Sequence, residues 1–254
     1  MTPAARERRQ VEVPVLLVTL SAWAALIVRP GAMSLSNSCC IPSTIQDGLS
    51  SMSLHMLMLR NPPSTLATGW MLMLASMMTP LLAAPIRHVM DRTLARRRWL
   101  SVLLFVLAYV AVWIAAGVVI LSLALAVRMF LPASLLPVMV GLLVTVLWQC
   151  SPWKQRCLNR GHSHPAIAGF GGAADVDSLR FGLSHGLWCV GSCWALMLLP
   201  ELFPVGHIPA MAVVTVWMIA EKLDRPSAPR WQWRGTGKAT RLVIAQTRML
   251  LQRS

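Results

Sequence analysis

The stretch FGLSHGLWCVGSCWALMLLPELF at residues 181–203 decides how this chain folds. It is long and apolar enough for one membrane crossing, which needs roughly 20 such residues. Within it, His185, Cys189, Cys193 and Met197 recur at four-residue steps. On a helix this spacing stacks side chains along one face, with a drift of about 40° per step. The stretch therefore predicts a membrane helix that carries metal-ligating side chains along one face.

The rest of the chain has the composition of a membrane protein. Of its 254 residues, 56% are hydrophobic and only 13% are charged, and several apolar runs are too long for a soluble core. We predict an all-α, polytopic transmembrane helical bundle of about six spans. These spans are expected at residues 13–28, 65–86, 100–127, 135–150, 181–201 and 207–221. Residues 6–28 also resemble a signal peptide, but no clean cleavage site follows, so an uncleaved first span is favoured.

The distribution of basic residues predicts the topology. With the N-terminus inside, 20 of the 23 Lys and Arg residues fall on the inner side, and only Arg29, Arg60 and Arg128 fall outside. This asymmetry follows the positive-inside rule. We expect a cytoplasmic N-terminus at 1–12, a bundle at 13–223 and a basic cytoplasmic tail at 224–254. The predicted location is a bacterial inner membrane.

The net charge of +14 points to lipid partners. The charge is dispersed over several inner loops and is not clustered on a nucleic-acid-binding fold, so nucleic acid is not an expected partner. In the tail, Lys238 and Arg241 alternate with apolar residues, as in a basic helix that lies on anionic headgroups. A disordered basic tail is the alternative interpretation.

Methionines form a second cluster, in and before the second span. Residues 52–78 contain seven of the sixteen methionines, including Met73, Met77 and Met78. Methionine also fills irregular space between helices, so packing is the competing interpretation. At about 1.5 Å per residue, Met77 and Cys189 lie roughly 13 and 12 Å above the inner ends of their spans. We therefore expect the two sets of sulfur atoms to lie at one depth.

The types of ligand limit the ion. Thiolates, thioethers and imidazole suit Cu(I), with zinc as a second choice, whereas magnesium, calcium and manganese prefer oxygen ligands. The spans lack interior carboxylates, because Glu201 and Glu221 both lie at span ends. A hard-cation pump would normally need such groups at depth. The sequence therefore favours Cu(I).

Three segments resemble a family of predicted metal-binding integral membrane proteins whose biochemical role is undefined. They are GWMLMLASMMTP at 69–80, WQCSPWKQRCL at 148–158, and HGLWCVGSCWALM with the later WMIAEKL within 185–223. The resemblance covers most of 69–223. It implies that the family's motif positions are Met77, Met78, Pro80, Cys157, His185, Cys189, Cys193, Trp194, Met197 and Glu221. The chain departs from the pattern after Cys157, where NRGHSHP stands in place of an expected second cysteine.

Several further residues are candidates for secondary sites. Cys157 suggests an inner-surface site, with His162 or His164 substituting for the missing cysteine. Glu221, followed by Lys222, is interpreted either as a gating group or as a solvated charge pair that ends the sixth helix. His55 and His207 are candidates for an outer ion site, although lone histidines at membrane edges are usually interfacial.

The leading functional hypothesis is a protein that binds Cu(I) between spans two and five, for transport or for delivery to an acceptor protein. A metal donor or acceptor protein is thus an expected partner, and no catalytic residue is assigned. One alternative is a membrane thiol-disulfide oxidoreductase that uses Cys189 and Cys193. Residues four apart on a helix lie near the upper distance limit for a disulfide, so that chemistry needs a helix break at Gly191. A non-catalytic assembly subunit of a membrane complex is the other alternative.

Overall fold

The computed structural model describes residues 3–28, 63–131, 135–203 and 206–233. These ranges contain eight α-helices and no strand, which confirms the all-α prediction for the described part of the chain. In chain order the helices are α1 (Pro3–Val28), α2 (Pro63–Met77), α3 (Thr79–Arg92), α4 (Arg98–Phe130), α5 (Leu136–Cys150), α6 (Pro152–Gly161), α7 (Gly171–Leu202) and α8 (His207–Lys222).

The helices provide three to five candidate membrane spans, where the sequence predicts about six. Three single helices are long and apolar enough to cross a membrane, over Arg9–Val28, Arg98–Arg128 and Gly171–Leu202. Two further candidates are the bent pairs α2–α3 and α5–α6. The expected sixth span is α8, whose 16 residues fall just short of the usual range of about 17–25.

The predicted second span is two helices, not one. The axes of α2 and α3 meet at 66°, with Met78 at the break. Pro80, in the first turn of α3, has no N–H to continue the hydrogen-bond ladder, and its ring disfavours a straight helix. The bend therefore follows from the sequence MMTP, and it places Met77 and Met78 at a discontinuity.

The predicted fourth span, 135–150, corresponds to α5, and the chain bends by 66° where α6 follows it. Here Ser151 adopts an extended conformation between α5 and α6, and its side chain accepts a hydrogen bond from the Lys154 N–H at 3.2 Å. Pro152 follows at the start of α6, where a missing N–H costs nothing. Ser151 and Pro152 thus mark the end of α5 and the start of α6.

The centre of the bundle is the packing of α7 on α4. A Cβ on Gly182 would collide with the Phe105 carbonyl oxygen, and a Cβ on Gly186 would lie 3.0 Å from Val112 Cβ. The two glycines thus permit close helix approach, as small residues spaced four apart do in membrane helices. Later residues of α7 meet later residues of α4, so the two helices run parallel. The intervening α5–α6 pair returns the chain along the bundle.

Candidate metal centre

The metal-ligating face predicted for α7 is buried. His185, Cys189, Cys193 and Met197 are at most 5% exposed, and α7 is continuous through all four positions. Because the helix is unbroken at Gly191, the condition that a Cys189–Cys193 disulfide would require is not met. Both cysteines are free thiols.

The thiol of Cys189 contacts several neighbouring side chains. Its Sγ lies 3.3 Å from the hydroxyl of Tyr109 on α4, and Cys193 and Trp113 also interact with it. Cys193 Sγ donates to the Cys189 carbonyl oxygen at 2.9 Å. Hydrogen-bond donors next to a sulfur stabilise a thiolate, which is the form that binds metal.

Sequence reasoning missed Tyr109 and Trp113. Both side chains are buried, with ring centroids 6.5 Å apart, and both lie beside the Cys189 thiol. A signal for Tyr109 was present, since it is the only tyrosine in the chain and lies in a long apolar run. A phenol buried in a membrane span normally needs a polar partner.

His185 lies one turn before Cys189, among aromatic rings. Its ring centroid is 5.6 Å from Phe181, 6.1 Å from Phe105 and 6.0 Å from Tyr109. Tyr109 thus contacts both the imidazole of His185 and the thiol of Cys189. His185 therefore lies one helical turn from the Cys189 thiol and is surrounded by aromatic rings.

The methionines of the bent second span are also buried. Met73, Met77 and Met78 are at most 1% exposed. They belong to the same hydrophobic cluster as Cys189, Cys193 and Met197. Trp70 attaches α2 to α4, because its Nε1 donates to the Trp113 carbonyl oxygen at 3.0 Å. Thioethers and thiols therefore share one buried core around α4.

The candidate ligands in this core are mostly sulfur atoms. Among the residues that the structure describes, no group of three or more His, Cys, Asp and Glu side chains is arranged to hold a metal ion. Structural zinc sites usually require four such ligands. Two thiols supplemented by thioethers are a set that suits Cu(I).

Comparison with known families agrees with this chemistry. A model of the PpoB2 family, described as a copper chaperone, matches residues 67–245. The chain belongs to this copper chaperone family. The match begins in α2 and includes every helix from α3 to α8. No curated protein and no solved structure matches the chain.

Within this copper chaperone fold, Cys157 lies apart from the α7 thiols. A Cβ on Gly191 would lie 2.7 Å from Cys157 Sγ, so Cys157 packs against α7 at that glycine. Gly191 is two residues from each α7 cysteine, which is about 200° around the helix. Cys157 therefore contacts the opposite face of α7. His162 does not join it, because its ring nitrogens contact the carbonyl oxygens of Leu158 and Lys222.

Glu221 is buried, so its interpretation as a solvated pair with Lys222 is wrong. It is 5% exposed, and its Oε2 lies 2.8 Å from Nζ of the fully buried Lys154. Gln149 and Trp217 also donate to Glu221 Oε1. The bend after α5 turns Lys154 inward, and no local sequence pattern revealed this. A gating role for Glu221 stays a prediction.

Some predicted residues lie outside the described part of the chain. His55, with the nearby methionines Met52, Met56 and Met58, falls in the range 29–62. The basic tail beyond residue 233 also falls outside. The outer-site hypothesis can therefore be followed only at His207.

Proposed function

We propose that this chain is an integral membrane copper chaperone that binds Cu(I) and delivers it to an acceptor protein. The observation that carries the proposal is the pair of buried thiols, Cys189 and Cys193, beside Tyr109 in a core that contains Met77 and Met78. Membership of the copper chaperone family supports the choice of copper.

In this proposal Cys189 and Cys193 are the primary ligands. A third, thioether ligand comes from Met77 or Met78, at the break between α2 and α3, or from Met73. Three sulfur ligands satisfy Cu(I), and they provide neither the four-ligand set nor the geometry of a structural zinc site. Zinc is therefore the less favoured ion.

His185 and Met197 are proposed as transfer ligands on either side of the thiols. Each is one helical turn, about 6 Å, from the nearest cysteine. An ion that moves along α7 thus meets an imidazole toward one end of the helix and a thioether toward the other. A sequence of closely spaced soft ligands allows each bond to form as the previous one breaks, which suits transport or delivery.

Membrane integration is part of the proposal. Large apolar side chains are exposed along the outer surfaces of α1, α4 and α5, including Leu17, Val118 and Leu143. Lipid would cover these side chains in a bundle of about six spans, with α8 as a short sixth. The positive-inside distribution supports cytoplasmic termini and contact with anionic headgroups.

The test is metal content after equal exposure to copper and zinc under reducing conditions. The full-length protein is compared with Cys189→Ser/Cys193→Ser and with Cys157→Ser, a matched control whose thiol lies on the opposite face of α7. Near-stoichiometric copper in the wild type and in Cys157→Ser, lost in the double variant, is expected. Equal copper in all three proteins would overturn the assignment.

The same proteins test the oxidoreductase alternative. A thiol oxidoreductase would show a redox-dependent electrophoretic shift that disappears in either single variant, Cys189→Ser or Cys193→Ser. The continuous helix at Gly191 predicts no such shift.

A further inference from the structure

The ligand face of α7 continues beyond Met197 to a buried carboxylate. Glu201 follows Met197 by one more four-residue step and is only 4% exposed. A carboxylate buried near the end of an apolar helix is costly unless it has a partner, so it suggests a functional site. Glu201 lies eight residues from Cys193, about 12 Å along the helix, and is therefore separate from the thiols.

One side-chain neighbour of this carboxylate is an imidazole from the next helix. His207 Nε2, at the start of α8, lies 3.9 Å from Glu201 Oε1. This distance exceeds that of a hydrogen bond. The Nε2 atom is buried and has no hydrogen-bond partner among the described residues. A buried oxygen and a buried nitrogen thus lie close together with a gap between them.

The other ring nitrogen of His207 is already held. Nδ1 lies 2.8 Å from the carbonyl oxygen of Pro200, a contact that requires the proton on Nδ1. The lone pair is then on Nε2, the ring nitrogen that lies near Glu201. A histidine whose second nitrogen donates to a backbone carbonyl is the usual arrangement of a metal ligand.

We propose that Glu201 and His207 bind a divalent cation of the Cu(II) and Zn(II) class at the end of α7. Metal–nitrogen and metal–oxygen bonds in such sites are each about 2.0–2.2 Å, so an ion fits between the two atoms at a wide angle. Imidazole and carboxylate together suit these divalent ions better than they suit Cu(I). The positive-inside rule places this end of the bundle on the outer side.

The neighbouring arginine sets the strength of this site. Arg128 Nη2 donates to the backbone oxygens of Glu201 and Phe203, at 2.7 and 3.2 Å. These bonds hold the end of α7 in place and bring a positive charge near the cation. With two protein ligands and this repulsion, the site binds a divalent ion weakly and exchanges it readily. A site that exchanges its ion readily suits the end of a transport path along α7.

The experiment uses full-length protein in detergent in which all six cysteines are replaced by serine, because free thiols would reduce Cu(II). One equivalent of Cu²⁺ is added, and the electron paramagnetic resonance spectrum is recorded. We expect an axial signal with coupling to one nitrogen. Glu201→Gln and His207→Asn, each in this background, should weaken Cu²⁺ binding by at least about tenfold. His164→Asn is the matched control, because it removes a histidine from the loop between α6 and α7 and should leave the signal unchanged.

A signal that survives both Glu201→Gln and His207→Asn would overturn the proposal, as would a signal lost in His164→Asn. If a variant unfolds, Zn²⁺ competition in the parent protein replaces it: displacement of the one-nitrogen signal supports the site, and failure to displace it contradicts the site. The parent protein already lacks both thiols. Failure here is therefore distinguishable from failure of the Cu(I) proposal.

Discussion

The hydroxyl of Tyr109 on α4 lies 3.3 Å from the sulfur of Cys189 on α7. This contact joins the two helices at the buried face of α7 that carries the candidate ligands. It depends on Gly182 and Gly186, which let α7 approach α4 closely. The polar environment of the thiol is therefore built by helix packing.

Replacing Tyr109 with phenylalanine should weaken Cu(I) binding by about 10- to 100-fold, because loss of a group that hydrogen-bonds to a ligand usually has such an effect. The ring, and so the packing, is kept. Competition with a chromophoric Cu(I) chelator measures the change. Ser192→Ala is the control, since the Ser192 hydroxyl donates to the backbone carbonyl oxygen of Cys189, at 2.8 Å. Equal affinities for wild type and Tyr109→Phe would show that the hydroxyl does not support the ligand.

Met77→Leu should lower Cu(I) affinity by at least about tenfold, or ~1.4 kcal/mol, if its thioether is a ligand. Leucine conserves the volume, so the fold should be retained. Met90→Leu is the matched control, because Met90 is also buried but belongs to a separate cluster with Val11 and Val15. The same competition assay applies. If Met77→Leu binds as wild type does, the parallel variants Met78→Leu and Met73→Leu identify the third ligand.

Local patterns explain what the sequence predicted well. The apolar length of residues 181–203 and the four-residue step of His185, Cys189 and Cys193 are properties of one helix, and α7 has both. The bend at Met78 could also have been predicted from the sequence, because a proline inside a span, here Pro80, is a known cause of kinks. The prediction of a single span at 65–86 did not include that bend.

Contacts between distant segments explain what the sequence did not predict. Tyr109 meets Cys189 across 80 positions, and Lys154 meets Glu221 across 67. A lysine just after a helix cap normally points to solvent. Its burial here follows only from how α5, α6 and α8 meet. Because Lys222 follows Glu221 in the sequence, it was predicted as the partner of Glu221, and that prediction was wrong.

Lys154→Met should destabilise the protein by about 3–5 kcal/mol, because it leaves the Glu221 carboxylate buried and without its cation. Thermal unfolding in detergent measures the loss. Lys154→Met combined with Glu221→Gln should recover much of the stability, since no uncompensated charge is then buried. Additive losses in the double variant would contradict the ion pair as the cause.

The pKa of His164 should lie below the ordinary histidine value of about 6.5, because partial burial and the neighbouring His88 disfavour its charged form. The ring centroids of His164 and His88 are 4.9 Å apart. A group with a lowered pKa takes up its proton first in the unfolded state, so its contribution to stability declines as pH falls below the ordinary value. Histidine NMR titration should show an upward shift in His88→Ala and none in His207→Asn. An unchanged midpoint in His88→Ala would remove His88 as a cause.

Gly182→Ala should destabilise the bundle by about 1–3 kcal/mol, as expected for an extra methyl group in a close-packed interface. Its Cβ would collide with the Phe105 carbonyl oxygen and lie 2.8 Å from Ala108 Cβ, so α7 must move away from α4. The same movement should separate Tyr109 from Cys189 and weaken Cu(I) binding. Gly172→Ala is the matched control on the same helix, because nothing lies within 4 Å of its Cβ. Thermal unfolding and Cu(I) competition should both change in Gly182→Ala and neither in Gly172→Ala. Normal copper affinity in a destabilised Gly182→Ala protein would separate helix packing from the organisation of the thiols.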